Sequence, residues 1–293
     1  MRSDKKKVSI GIVGKGFVGT AVAHGFSHQT GYGAEIRIYD IDPEKSQDTL
    51  EETVNKSEFV FLSVPTPADK DGFNDLSIVR SVLKDIESVC ESPDNIILVR
   101  STVVPGTTRA LQKEFPSLRM VFNPEFLTER SACFDFINQT RVILGGDKKY
   151  TNKVKYLYKN RFGDFLPVLE TSYETAEMIK YMNNLFFATK VSFLNEMKLL
   201  GEKVGVDWSS AIEGFVLDGR VGHSHLSVPG PDGKLGFGGS CFPKDIQALI
   251  KFGEQNNVEM NVLKGAWKTN LYVRPERDWE KLKGRAVSNS EEE

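Results

Sequence analysis

The sequence predicts an α/β fold: a doubly wound parallel sheet, followed by an all-α region built on one long helix. Three observations carry this. Short apolar runs alternate with helical stretches through residues 1–170, the pattern of βαβ units. A glycine-spaced turn follows the first apolar run. Residues 171–205 then show helical periodicity with no proline.

The elements follow in chain order. Residues 7–13 (KVSIGIV) read as a buried strand, with glycines at 14, 16 and 19 and a helix from Val18 to Phe26. Glu35–Tyr39 is a second strand, ending at Asp40. Phe59–Val64 is a third, closed by Pro65-Thr66-Pro67. Leu76–Val89 is an amphipathic helix, and Asn95–Val99, Met120–Phe122 and Arg141–Leu144 are further strands. Thr171 and Glu174 have capping-box spacing. The helix they open carries Met178, Ile179, Met182, Leu185, Phe186, Phe193, Leu194, Met197 and Leu200 at helical spacing. A helix of this length spans roughly 45–50 Å. Apolar on more than one face, it is expected to pack between elements or subunits. Helices near Trp208–Phe215, Asp245–Gln255 and Met260–Leu271 complete the region. The expected domains are 1–170, 171–275 and a polar tail 276–293, disordered from Ser288 onward.

Bulk properties narrow the function. The chain has 293 residues, 40% of them apolar and 27% charged, with a net charge of −2. That balance predicts neither nucleic acid nor an anionic membrane as a partner. No apolar run reaches the ~18 residues of a membrane helix. Three scattered cysteines do not make a disulfide framework, so a cytoplasmic setting is expected. Four histidines show no zinc spacing, and no metal site is expected.

Gly14-Lys15-Gly16-Phe17-Val18-Gly19 is a GxGxxG run that follows a strand, opens a helix and precedes Asp40 by about one βαβ spacing. This is the Rossmann-type signature for a dinucleotide, with pyrophosphate at the helix N-terminus. Asp40 would accept hydrogen bonds from the ribose hydroxyls and repel a 2′-phosphate, which favours NAD over NADP. Lys45 is a nearby cation that would instead favour a phosphate.

Cys241 lies in GFGGSCFPKD, residues 236–245. A lone cysteine in a glycine-rich loop ordinarily reads as buried and inert. Beside a cation and a carboxylate it becomes a candidate nucleophile, and Lys180 or Lys244 would lower its pKa. Lys180 and Asn184 are i and i+4 and share a helix face. Such a pair reads either as a solvated face or as donors for an oxyanion. Glu125, after Pro124, reads either as a turn residue or as a base whose apolar setting raises its pKa.

The chain resembles the UDP-glucose/GDP-mannose dehydrogenase family. The resemblance rests on the GxGxxG run, Val64–Pro67, Ser101–Thr107 (STVVPGT), Asn123–Glu129 (NPEFLTE), Lys180 with Asn184, Asp218–Gly222 (DGRVG) and GFGGSCFPKD, all in family order. It implies four-electron oxidation of a nucleotide sugar with NAD, most simply UDP-glucose to UDP-glucuronate, in polysaccharide biosynthesis. It implies Cys241 as the nucleophile forming a thiohemiacetal and then a thioester. Lys180 and Asn184 would stabilise the oxyanion and hold substrate, and Asp245 would assist proton transfer. Glu125 and Thr102 would position water. Thr66, Thr102, Glu129 and Lys244 would join Gly14 to Gly19, Asp40 and Lys45 near the cofactor. Glu125, Phe126, Leu127, Phe237 and Gly238 would line the sugar-nucleotide pocket. Arg220 would reach substrate across a homodimer built on the long helix. Family members continue into a third domain that covers the nucleotide, but the stretch after Asn270 has neither the length nor the strand pattern for it. The insertion Ser227–Leu235 is a candidate lid. Two other readings stay open: a two-electron dehydrogenase of the hydroxyacid or 6-phosphogluconate type, and a truncated, weakly catalytic NAD-binding homologue.

Overall fold

The computed structural model describes residues 7–92 and 94–289. The chain divides into two units: Met1–Thr66 with Leu76–Lys180, and Pro67–Asp75 with Tyr181–Glu293.

The first unit holds β1 (Ser9–Val13), α1 (Phe17–Phe26), β2 (Glu35–Tyr39), α2 (Leu50–Asn55), β3 (Phe59–Leu62) and α3 (Ser77–Val89). It continues with β4 (Ile96–Val99), α4 (Thr107–Glu114), β5 (Met120–Phe122), α5 (Ala132–Ile137), β6 (Val142–Gly145), α6 (Lys148–Phe162) and β7 (Val168–Thr171). The sheet order is β2-β1-β3-β4-β5-β6-β7. Every pairing is parallel except β5 with β6.

Alternation along the strands builds two cores. Phe59 and Phe61 of β3 face one side with Phe26, Phe136 and Tyr158. Val60 and Leu62 face the other with Val79, Leu83, Ile86 and Leu111. A strand buried on both faces needs a continuous apolar run, and FVFL supplies one. The order reverses between β1 and β3, so the carboxyl ends of these strands open the crevice where doubly wound sheets bind ligands.

The helix α6 and the strand β7 carry weak or mixed periodicity, and α2, α4 and α5 are too short to stand out in the sequence. In α2 a capping box does the work: the Glu52 N–H donates to Thr49 Oγ1 at 3.1 Å, and the Thr49 N–H to Glu52 Oε2 at 3.4 Å. Asp147 Oδ1 caps α6, accepting from the Lys149 N–H at 2.8 Å. The expected capping box at Thr171 is corrected. Thr171 ends β7, and Ser172 Oγ accepts from the Thr175 N–H at 3.2 Å. Glu174 instead forms an ion pair with Arg109 of α4.

The helix α7 (Tyr173–Val204) has 32 residues. The first unit runs to Lys180, inside this helix, because Tyr173 and Ala176 are part of the sheet's second core. The second unit continues with α8 (Trp208–Val216), α9 (Phe242–Gln255) and α10 (Asn261–Val273). Ser192 Oγ on α7 donates to the Ala266 carbonyl of α10 at 2.7 Å. The expected polar tail is corrected as well. Trp279 is buried against Trp267, with ring centroids 5.3 Å apart. The Ser288 N–H donates to the Ala68 carbonyl at 2.8 Å. The remainder of that tail, 290–293, lies outside the described residues. Among the described residues no helix is long and apolar enough to cross a membrane.

Candidate active site

The glycine loop leaves β1 at the topological switch. Gly14 has φ +93°, a conformation that costs L-residues energy. A Cβ on Gly19 would lie 2.1 Å from the Gly14 carbonyl oxygen, so this glycine lets α1 close on the turn. Gly16 differs: a Cβ there would meet nothing within 4 Å. As N-cap of α1 it offers no side-chain acceptor to the helix's first N–H groups. Open backbone and unmatched donors at a helix N-terminus suit a pyrophosphate. Asp40 Oδ2 accepts from the Lys15 N–H at 2.6 Å and Oδ1 from the Asp42 N–H at 2.9 Å, which orients its carboxylate beside the loop. Lys45 pairs with Asp42 at 2.9 Å. The residues present therefore fit a dinucleotide. Phe17 and Val18 form the first turn of α1, both half-buried.

Two loops at the adjoining carboxyl ends are tied together. Thr66 Oγ1 donates to the Thr102 carbonyl at 2.7 Å, and Ser101 Oγ donates to the Val64 carbonyl at 2.6 Å. Lys180 Nζ donates to Glu125 Oε1 at 2.9 Å and to the Glu125 carbonyl at 2.5 Å. Both residues are buried. Glu125 Oε2 also accepts from the Leu127 N–H at 2.6 Å, and Lys180 lies 5.5 Å from the centroid of Phe126. The expected rise in the Glu125 pKa is corrected. Burial pushes it up, but the Lys180 ammonium and its hydrogen bond, with the Leu127 N–H, pull it below the usual carboxylate range. Glu129 opens an exposed 3₁₀ turn, Glu129–Ser131.

The second unit holds a separate constellation. Cys241, half-buried, is the N-cap of α9, which begins at Phe242, three residues earlier than expected. Pro243 accounts for the early start, since its fixed φ suits a first helical turn. Lys244 and Asp245 therefore fall in that turn. Asp245, 0% exposed, accepts from Lys244 Nζ at 2.5 Å and from Asn184 Nδ2 at 2.7 Å. Ser240 Oγ lies 3.9 Å from Cys241 Sγ.

Three further side chains hold the glycine-rich loop. Asn270 on α10 accepts from the Phe237 N–H at 2.7 Å and donates to the Phe237 carbonyl at 3.0 Å. Asn195 on α7 accepts from the Gly236 N–H at 3.1 Å. Buried Arg274 joins Asp232 and Asp278, both at 2.6 Å, and donates to the Leu235 carbonyl. It thereby fixes the insertion and backs Gly238, whose Cβ would fall 2.5 Å from its Nη2. Asparagine on an apolar helix face was the available signal for Asn195 and Asn270. Arg220 is not gathered with Cys241: its side chain is 91% exposed and pairs with Asp218 in its own loop. Lys190 steadies that loop by donating to the carbonyls of Val221, Gly222 and Ser224. Among the described residues no group of three His, Cys, Asp or Glu could hold a metal ion.

A largely parallel doubly wound sheet with this glycine turn and Asp40 defines a protein of the dinucleotide-binding class. Residues 45–161 match the NAD-binding domain, and residues 174–272 the central domain, of the UDP-glucose/GDP-mannose dehydrogenase family. The chain belongs to that family, and its first unit is an NAD-binding domain. It is 35% identical over 225 residues to the UDP-glucose 6-dehydrogenase TuaD of Bacillus subtilis, covering 74% of this chain and 47% of that protein. It is 29% identical over 305 residues to the UDP-glucose 6-dehydrogenase AglM of Haloferax volcanii, covering 90% and 69%. A UDP-glucose dehydrogenase structure from Pyrobaculum islandicum superposes with a TM-score of 0.78 at 29% identity, over 93% of this chain and 70% of that one. The chain spans about half or less of the length of the first curated relatives it matches.

Proposed function

We propose that this chain carries the oxidation chemistry of a nucleotide-sugar 6-dehydrogenase acting on UDP-glucose, through a covalent intermediate on Cys241. The observation that carries this reading is the thiol at the N-cap of α9, one turn ahead of the buried Lys244–Asp245–Asn184 array. A single two-electron alcohol oxidation needs no nucleophile, whereas reaching the acid by acyl transfer does.

Bound NAD supplies a hydride acceptor in each of two rounds. In the first, the C6 alcohol loses a hydride and a proton to become an aldehyde. The Cys241 thiolate then adds to the aldehyde carbon, forming a C–S bond and an alkoxide. Lys180 and Asn184 are assigned to that oxyanion as donors. Loss of a second hydride from C6 makes the thioester. Water then cleaves the C–S bond, releasing the acid and returning the thiol. Glu125 and Thr102 are assigned to that water, and Asp245 to the proton transfers. The helix N-terminus favours the anionic nucleophile. Phe126, Leu127, Phe237 and Gly238 are assigned to the sugar-nucleotide contacts, and Arg220 to a contact from a second copy.

The homodimer is part of the same proposal. Met182, Phe186, Phe193, Met197 and Leu200 lie along one face of α7 and are exposed, Met182 and Phe186 at 64% each. An apolar stripe of this kind marks an association surface.

The test is the chain with NAD⁺ and UDP-glucose. Two NADH per sugar and UDP-glucuronate as product support the reading; no NADH with any nucleotide sugar would sink it. Cys241→Ser separates it from a two-electron dehydrogenase, because only the covalent route loses acid formation.

A further inference from the structure

Glu177 is a fully buried carboxylate on α7, three residues before Lys180. Its Oε2 accepts from the Gly106 N–H at 2.6 Å and its Oε1 from the Thr108 N–H at 2.7 Å. These donors belong to the N-terminus of α4 and to the end of the loop Ser101–Thr107. The other end of that loop leaves β4 beside β3, where Thr102 is tied to Thr66. This loop thus lies at the carboxyl edge of the sheet, next to β3, which itself neighbours β1 and its glycine turn. The contrast with α1 is informative. There the helix N-terminus is left open at Gly16, while in α4 an internal anion fills it.

We propose that Glu177 is a positioning residue of the NAD site: its carboxylate fastens the Ser101–Thr107 loop to α7 and so sets the wall against which the dinucleotide binds. Burial pushes the Glu177 carboxyl up to about 7, against the pull of the Thr108 and Gly106 N–H groups, and the Glu174 charge adds to the rise. The charged and titratable groups facing it are Glu174 and Tyr173 on α7 and Arg109 on α4. The Arg109 hydrogen bond pulls Glu174 down to about 2, and burial pushes Tyr173 up to about 12. Neither titrates between pH 5.5 and 8.5. Above about pH 7 both Glu177 oxygens accept strongly; below it the neutral carboxyl accepts well at one oxygen only, and the loop loosens.

Stability runs the other way. A carboxyl whose folded pKa is raised contributes stability that is complete below the ordinary carboxylate range and is lost as pH rises through about 7. A merely structural cap would make NAD affinity follow stability. A positioning role makes affinity rise while stability falls.

The test is calorimetric titration of the chain with NAD⁺ alone from pH 5.5 to 8.5. We expect the wild-type Kd to weaken about tenfold on acidification, the scale of one charge-assisted hydrogen bond, and Glu177→Gln to have a flat profile. Glu177→Ala is expected to bind about tenfold more weakly at pH 8.5. Parallel profiles for wild type and Glu177→Gln would overturn the proposal, as would unchanged binding by a folded Glu177→Ala. If the alanine variant does not fold, the glutamine profile decides. No sugar is present, so failure of the oxidation reading leaves this result independent.

Discussion

Lys180 holds Glu125 twice, through the carboxylate at 2.9 Å and through the backbone carbonyl at 2.5 Å, with both side chains nearly excluded from water. One ammonium thus fixes the rotamer of the glutamate and the path of the Asn123–Leu127 turn. Removing one partner of such a pair leaves a charge buried alone, which costs about 3–5 kcal/mol. Lys180→Met should lose about that much in urea unfolding, and adding Glu125→Gln should recover part of it.

The same pair sets an acid limit. The Glu125 pKa is depressed in the folded state. Its pairing therefore contributes stability above the ordinary carboxylate range, lost as pH falls toward the folded pKa. Glu125→Gln should flatten the acid limb of a stability–pH curve measured below about pH 5, where unfolded carboxylates titrate. A limb as steep as wild type would mean that other carboxylates govern it.

Asp245 serves two donors and has no exposure at all. Asp245→Ala should cost about 3–5 kcal/mol by leaving the Lys244 ammonium without its carboxylate. Asp245→Asn should cost less, since it keeps an acceptor for one donor. Thermal melts of the two variants side by side check the order.

The glycine loop separates fold from ligand. Gly19→Ala should destabilise the chain by about 1–3 kcal/mol through overpacking, because its Cβ meets the Gly14 carbonyl. Gly16→Ala has room in the protein alone. Its melting temperature should be near wild type, while NAD affinity falls at least about tenfold, or 1.4 kcal/mol. Unchanged NAD binding by Gly16→Ala would remove the glycine from the site.

The proposed dimer has its own probe. Phe186 is 64% exposed, so Phe186→Lys should leave the protomer folded. Sedimentation velocity should show the wild-type dimer giving way to a monomer. A wild-type monomer at micromolar concentration would refute the interface.

Local chemistry made much of the site legible. The glycine spacing, Asp40, the Lys180/Asn184 helix face and GFGGSCFPKD are short-range patterns; the first three fall in the elements expected of them, while the end of GFGGSCFPKD lies in α9, which begins at Phe242 rather than Asp245. The helix α6 was less visible: its lysines and tyrosines dilute the periodicity, and only Thr151, Val154, Leu157 and Tyr158 are buried. β7 lies at the sheet edge with none of its residues fully buried, and an apolar run is not required there. Trp279 and the segment around it read as a tail, because the Trp267 and Ala68 partners that fold it are distant in sequence.

The sequence by itself determined the fold class, the NAD motif and the residue types of the chemistry, because these depend on period, spacing and turn-forming glycines. Only the tertiary structure decided which charges meet. It paired Lys180 with Glu125, which reverses the expected shift of that carboxyl. It placed Lys244 and Asn184 on Asp245, and Glu177 on the N-terminus of α4. Electrostatic energies depend on distance and burial, and both are products of long-range packing that no local pattern encodes.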